Sequence, residues 1–173
     1  MKYFLIETDE KNYIPYSINK NRAVDIRYVN REYAYKIPNC CVVDMKTPID
    51  VFFPGIFTEP ILLVEEMVAN VIEMYAPETI FKTIYLLEEE SELHRTYFMP
   101  ILEEVDCLSD KTLRSRGGTE LLQIVLKEEA VKKKPVFRVA GFLHTYLIGQ
   151  MDFIESILRR DVRGIKLKEL EVE

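Results

Sequence analysis

The sequence has no tryptophan, only two histidines and three cysteines, and a deficit of positive charge. Each shortage excludes something. An odd number of cysteines cannot close a complete disulfide framework within one chain, and neighbours such as Cys40 and Cys41 rarely bridge each other because the geometry is strained. The thiols therefore read as reduced, in a reducing compartment, and as small buried hydrophobes. His94 and His144 leave little material for a nucleophilic triad, and no Gly-x-Ser-x-Gly signature accompanies them. His94 follows an acidic stretch and reads as a solvated group, while His144 reads as structural. No Cys-x-x-Cys, His-x-x-x-His or Asp-x-Asp-x-Asp-Gly pattern occurs, so the common zinc and calcium motifs are missing. Gly117, Gly118 and Gly141 build no phosphate loop, since no glycine-rich turn leads into Lys-Ser or Lys-Thr at a helix start. The expectation is no catalytic, metal-binding or cofactor-binding residue, and no cofactor.

Acidic residues number 29 against 23 basic ones, for a net charge of -6. Nucleic-acid-binding domains usually carry a basic surplus or stripe. Here the basic runs are Lys132–Lys134 and the pair Arg114 and Arg116, so nucleic acid is not an expected partner. The balance fits a solvated protein or one that meets a cationic partner. No segment reaches the ~18 apolar residues of a membrane span. Residues 1–8 form too short an apolar run for a secretory signal and lack a small-residue cleavage site. The expected compartment is the cytoplasm, with no membrane partner. A length of 173 residues and a hydrophobic fraction of 48% suit one domain that buries roughly 70% of its unfolded surface.

What is present reads as α+β, with a mostly antiparallel or mixed sheet and two main helices. Tyr3–Ile6 is an apolar run expected to be a buried strand. Residues 1–50 are otherwise tyrosine-rich and irregular, with short strands expected at Val24–Val29 and Cys41–Val43. Val51–Phe53 is a further apolar run, closed by the turn signal Pro54-Gly55. Val64, Met67, Val68, Val71, Ile72 and Tyr75 fall on one helical stripe, with Glu65 and Glu66 in the first turn and Pro77 as the stop. Ile80–Leu87 reads as a strand. Tyr97–Leu102 reads as one interrupted by Pro100, hence an edge or a bulge. Asp106–Gly118 reads as loop.

Leu121–Leu126 is expected to be a strand with Leu122, Ile124 and Leu126 on one face, joined to Val136–Val139 by a hairpin through Lys132–Pro135. Tyr146–Ile148 reads as a strand. The second helix spans Met151–Arg160, with Met151, Ile154, Ile157 and Leu158 inward, Phe153 at the margin and Gly164 as C-cap. Ile165–Val172 closes the chain as a strand whose apolar parity shifts between Leu167 and Leu170, which suggests a bulge. Strand, helix and strand recur at about 84 to 86 residues, around Ile61–Leu87 and Tyr146–Val172. This is a βαβ-like pseudo-repeat, although two ordinary units recurring by chance would look the same.

The most concentrated charge is the run Glu88, Glu89, Glu90 and Glu92. Carboxylates this close repel one another unless solvent screens them or a cationic partner relieves them, so they are the candidate partner-binding residues. The bland reading is a solvated acidic loop. The tyrosines of residues 13–35 offer a second candidate, an aromatic binding surface.

The C-terminal half resembles a bacterial family taken to be immunity proteins of polymorphic-toxin systems, long catalogued as a domain of unknown function. The resemblance lies in Pro135-Val136-Phe137-Arg138-Val139-Ala140-Gly141, then Tyr146-Leu147-Ile148, a helix, and Arg163-Gly164-Ile165-Lys166-Leu167. Ile61–Tyr75, as a strand running into a helix, and the short Asp106-Cys107-Leu108 add to it. It covers about residues 50–173 and implies an immunity-like core over 51–173. It also implies a binding protein, with a cognate protein toxin as partner and steric occlusion as mechanism. The alternative is a small hydrolase using a cysteine or a carboxylate pair.

Overall fold

The computed structural model describes residues Met1–Glu173. The first strand, β1 (Tyr3–Thr8), leads into a long irregular stretch that holds 3-10 turns at Ile26–Tyr28 and Ala34–Lys36. Next come β2 (Cys40–Asp44), β3 (Ile56–Phe57), β4 (Leu63–Val64), helix α1 (Glu66–Tyr75), β5 (Ile80–Glu88) and β6 (Leu93–Ile101). The short pieces β7 (Glu104–Val105), β8 (Leu113–Arg114), β9 (Leu121–Gln123) and β10 (Val125–Leu126) precede a single turn of helix, α2 (Glu128–Val131). The chain ends with β11 (Val136–Val139), β12 (Leu147–Gln150), α3 (Met151–Arg159) and β13 (Ile165–Val172). The class is α+β with two main helices. No helix is long and apolar enough to cross a membrane.

Two mixed sheets carry the fold. One has the order β10-β13-β1-β12-β11-β7 and the other β2-β5-β6-β4-β3, beside a two-stranded ribbon, β8-β9. The recurring strand–helix–strand units share a topology. β12 and β13 both run antiparallel to β1, which lies between them. β4 and β5 both run antiparallel to β6, which likewise lies between them. Each unit is thus a split βαβ, with parallel strands separated by one antiparallel neighbour. In one the inserted strand opens the chain, and in the other it follows the unit directly.

The helices bury their apolar stripes together. Val68, Val71 and Ile72 of α1 and Phe153, Ile154 and Ile157 of α3 are at most 2% exposed. They share a core with Ile6, Val136 and Leu147 from one sheet and Ile56 and Val64 from the other. Burying each such side chain contributes about 1.5–3 kcal/mol. The outer faces have their own covers. Ile18, Val24, Val29, Ala34 and Ile37 of the irregular segment close over Cys41, Val43, Ile84, Leu86, Tyr97 and Met99. Residues 105–131 close over Tyr3, Leu5, Phe137, Val139, Ile148 and Leu170.

Burial on both sheet faces explains several departures from the expected pattern. The parity shift in β13 is not a bulge, because its register against β1 runs unbroken from Ile165 opposite Thr8 to Leu170 opposite Tyr3. Ile165 and Leu167 face the helices, while Leu170 and Val172 face the opposite core. Val24–Val29 forms no strand: its cover role needs isolated inward residues, and Asp25 nucleates a 3-10 turn by accepting the Arg27 N–H. Val51–Phe53 likewise forms no strand, and the Phe52 N–H donates to the Tyr13 carbonyl at 2.7 Å.

Leu121–Leu126 splits at Ile124, where the chain passes from the β8-β9 ribbon to the edge of the six-stranded sheet, and this leaves Leu122 63% exposed. The expected hairpin to Val136 is absent, since α2 intervenes and β10 pairs with β13. In α3, Phe153 is central and Leu158 is 48% exposed, the reverse of their expected order. Asp161, at φ +58, takes the left-handed position that follows α3, and Gly164 instead makes the turn into β13. Pro100 sits where β6 has run past its one contact with the short β4, so it interrupts no ladder on that side.

Candidate functional site

The acidic run lies at the tip of the β5–β6 hairpin. Glu88 ends β5 opposite Leu93 of β6, and Glu92 takes the left-handed conformation at φ +59. The four carboxylates do not act alike. That of Glu88 accepts the Thr47 N–H at 3.0 Å, the Thr47 hydroxyl, and the Ser91 hydroxyl at 2.7 Å. These bonds hold its carboxyl below the usual glutamate range. Glu88 therefore ties the hairpin to the loop after β2. Glu90 lies 3.9 Å from Lys46 in an exposed pair, an arrangement that contributes little. Glu89, Glu90 and Glu92 are exposed, and they are the members of the run free to meet a partner.

A cleft of about 880 Å³ opens elsewhere, between the end of β1, residues 9–20 and the segment after β3. Its lining carries both signs of charge: Glu7, Asp9, Glu10 and Glu59 beside Lys11, Lys20, His144 and Lys166. His144 pairs with Glu59 and lies 4.4 Å from the Tyr146 ring, centroid to centroid. The Thr8 hydroxyl donates to the Ile56 carbonyl at 3.1 Å and accepts the Thr58 N–H at 3.0 Å, which stitches β1 to β3 beneath the cleft.

The cysteines are dispersed in environment. Cys107 is fully buried, and desolvation pushes its thiol up to about 12. Burial also raises Cys41, whose thiol donates to the Pro38 carbonyl at 3.7 Å. Both sites oppose the thiolate that nucleophilic chemistry needs. Cys40 departs from the expected burial and is exposed on β2. Its alternation with Cys41 follows from the strand period of two. No three His, Cys, Asp or Glu side chains gather in a group that could hold a metal ion.

A third surface was hidden in the pattern. Residues 20–36 carry five cations and two anions, and most of their charged side chains point outward from the cover over the five-stranded sheet. Tyr28 and Tyr33 stand 6.0 Å apart, with the Lys36 ammonium 4.8 Å and 5.1 Å from their centroids. The signal lay in the spacing: Val24, Val29, Ala34 and Ile37 are inward anchors, and the residues between them include Arg27, Arg31, Lys36, Tyr28, Tyr33 and Tyr35 beside Asp25 and Glu32. Spacing of three to five residues follows neither helix nor strand, so no regular period exposed it.

Neither a protein-family model nor a curated protein sequence matches this chain.

Proposed function

We propose that this protein is a cytoplasmic binding protein that neutralises a cognate protein toxin by steric occlusion, in the manner implied by its resemblance to immunity proteins. The observation that carries the reading is the anchored hairpin tip. Glu89, Glu90 and Glu92 are presented at the end of two nine-residue strands, and the Glu88 carboxylate locks that tip to Thr47 and Ser91. A recognition surface held in advance loses less ordering entropy on association than a flexible one. Three exposed carboxylates complement a basic cleft of the kind that enzymes acting on nucleic acid carry, and such complementarity acts chiefly on association rate and specificity. Unpaired cysteines, one of them exposed, accord with a reducing compartment.

The experiment is co-expression with the product of any large multidomain toxin gene found immediately upstream of this one. Rescue of growth is expected, with loss of rescue when Glu89, Glu90 and Glu92 are together changed to lysine in a protein that remains folded. Growth arrest despite expression of the folded wild-type chain would contradict the reading.

A further inference from the structure

We propose that the outward face of residues 20–36 is a second docking surface, one that takes an acidic segment of a protein. This goes beyond the acidic-tip reading and does not depend on it, because the charges are of opposite sign and the residues are different.

Charge is the first argument. In a chain with net charge -6, the residues outside 20–36 hold 27 of the 29 acidic side chains and 18 of the 23 basic ones. Basic charge is thus concentrated on one cover segment. Arg27 is held in a fork by Asp25, at 2.7–3.2 Å, and Arg31 lies 3.6 Å from Glu78. Lys20, Arg22 and Lys36 form no ion pair with any carboxylate of the chain. Lys20 lines the cleft beside β1, so Arg22 and Lys36 are the cations available to a ligand on this face.

Preorganisation is the second. Lys36 is positioned by the two tyrosine rings, which attract its ammonium without neutralising it. Arg22 sits in the left-handed region at φ +53, with Asn19 at +65 and Ser17 at +49 close by. Such a conformation is disfavoured for a residue with a side chain and persists only where surroundings fix it. Here Asn19 does so by bonding both the N–H and the carbonyl of Val24, and Asn21 does so by bonding Asp44 and the Ala23 N–H. Beneath, Val24, Val29, Ala34 and Ile37 are at most 8% exposed. An irregular segment is thereby held as a fixed surface.

The composition selects the partner. Arginine and tyrosine are the side chains enriched where proteins dock, and Tyr35 is 76% exposed beside the caged lysine. A long phosphate backbone is disfavoured, because Asp44, which accepts the Asn21 N–H, places an acidic group at the Arg22 end. A short carboxylate-rich stretch of polypeptide can meet Arg22 and Lys36 without running past that carboxylate.

The test is fluorescence anisotropy with a labelled oligoglutamate peptide at low and at physiological ionic strength. The wild-type chain should bind it, more weakly as salt rises. Arg22→Glu with Lys36→Glu should weaken binding by about tenfold or more, and Arg22→Gln with Lys36→Gln should weaken it less. Lys132→Glu with Lys133→Glu, a reversal of equal size elsewhere, should leave it unchanged. Unfolding midpoints confirm that each variant is folded. Absence of binding at low salt, equal loss in the Lys132/Lys133 control, or tighter binding of a single-stranded oligonucleotide of matched charge would each overturn the proposal. Toxin neutralisation is read separately through the Glu89, Glu90 and Glu92 variant, so either reading fails on its own.

Discussion

Replacing Arg138 by methionine should uncouple the cover segment from the neighbouring six-stranded sheet, to which β11 belongs. Arg138 lies on β11 and is 7% exposed. Its guanidinium donates to the Val29 carbonyl at 3.0 Å and to the Phe142 carbonyl at 2.9 Å. The Nε faces Glu104 at 3.5 Å without forming an aligned hydrogen bond, so that contact is a loose ion pair. Desolvation lowers the pKa of the group, the opposing pull of Glu104 being smaller, and the buried cation therefore carries a cost of its own.

Two bonds from a charged donor contribute about 1.5–3 kcal/mol each. Methionine would remove them and strand two carbonyls, while relieving part of the desolvation cost and retaining most of the apolar volume. The expected net loss is about 2–4 kcal/mol. At about 2–4 °C per kcal/mol for a chain of this size, the melting temperature should fall by roughly 5–15 °C. Urea unfolding gives the free energy, and amide exchange gives its location. The N–H groups of Val29, Lys36 and Ile37, which close the 3-10 turns, should exchange faster, while those of β12 keep their relative protection. A loss below about 1 kcal/mol, or uniform acceleration of exchange, would refute the view that Arg138 pins the cover.

Gly149 of β12 lies under α3, and a Cβ there would meet Phe153 Cδ1 at 2.9 Å, Ile154 Cδ1 at 3.0 Å and Ile6 Cδ1 at 3.2 Å. Gly149→Ala should cost about 1–2 kcal/mol, overpacking exceeding the backbone-entropy gain, and a stabilised variant in chemical denaturation would contradict that. Burial raises the pKa of Glu65, against the lowering effect of Arg95. The charged form is therefore disfavoured in the fold, and this contribution to stability is complete below the unfolded value near 4.3 and lost as pH rises through the folded one. Glu65→Gln should gain stability relative to wild type as pH rises above that range, and an unchanged difference across it would count against the assignment. Iodoacetamide should label Cys40 in the native protein and spare Cys41 and Cys107, as read by mass spectrometry, so rapid native labelling of Cys107 would contradict its buried place.

Much of the fold was legible where periodicity was strong. The α1 stripe follows from the helical period, except that Met67 is 43% exposed, β5 follows from alternation, and the paired strand–helix–strand units lie where their recurrence marked them. Legibility failed where one strand serves two cores. Leu167 and Leu170 look like a slipped register until both faces of the sheet are seen to be covered. It failed again at Leu121–Leu126, where a single apolar run divides between two sheets. At the acidic tip the sequence located the charges but not their inequality. Glu88 finds its partner in Thr47, 41 positions away, and no local pattern encodes that pairing. The basic cover escaped notice because its anchors follow no regular period.

The most direct test of the proposed steric inhibition is a titration of the proposed partner toxin's activity against equivalents of this protein. Activity should fall linearly and reach its floor at one equivalent, since an occluding partner is consumed in a stable complex. Progressive inactivation by a small fraction of an equivalent would identify a catalyst instead, and an undiminished activity at excess would contradict the account altogether.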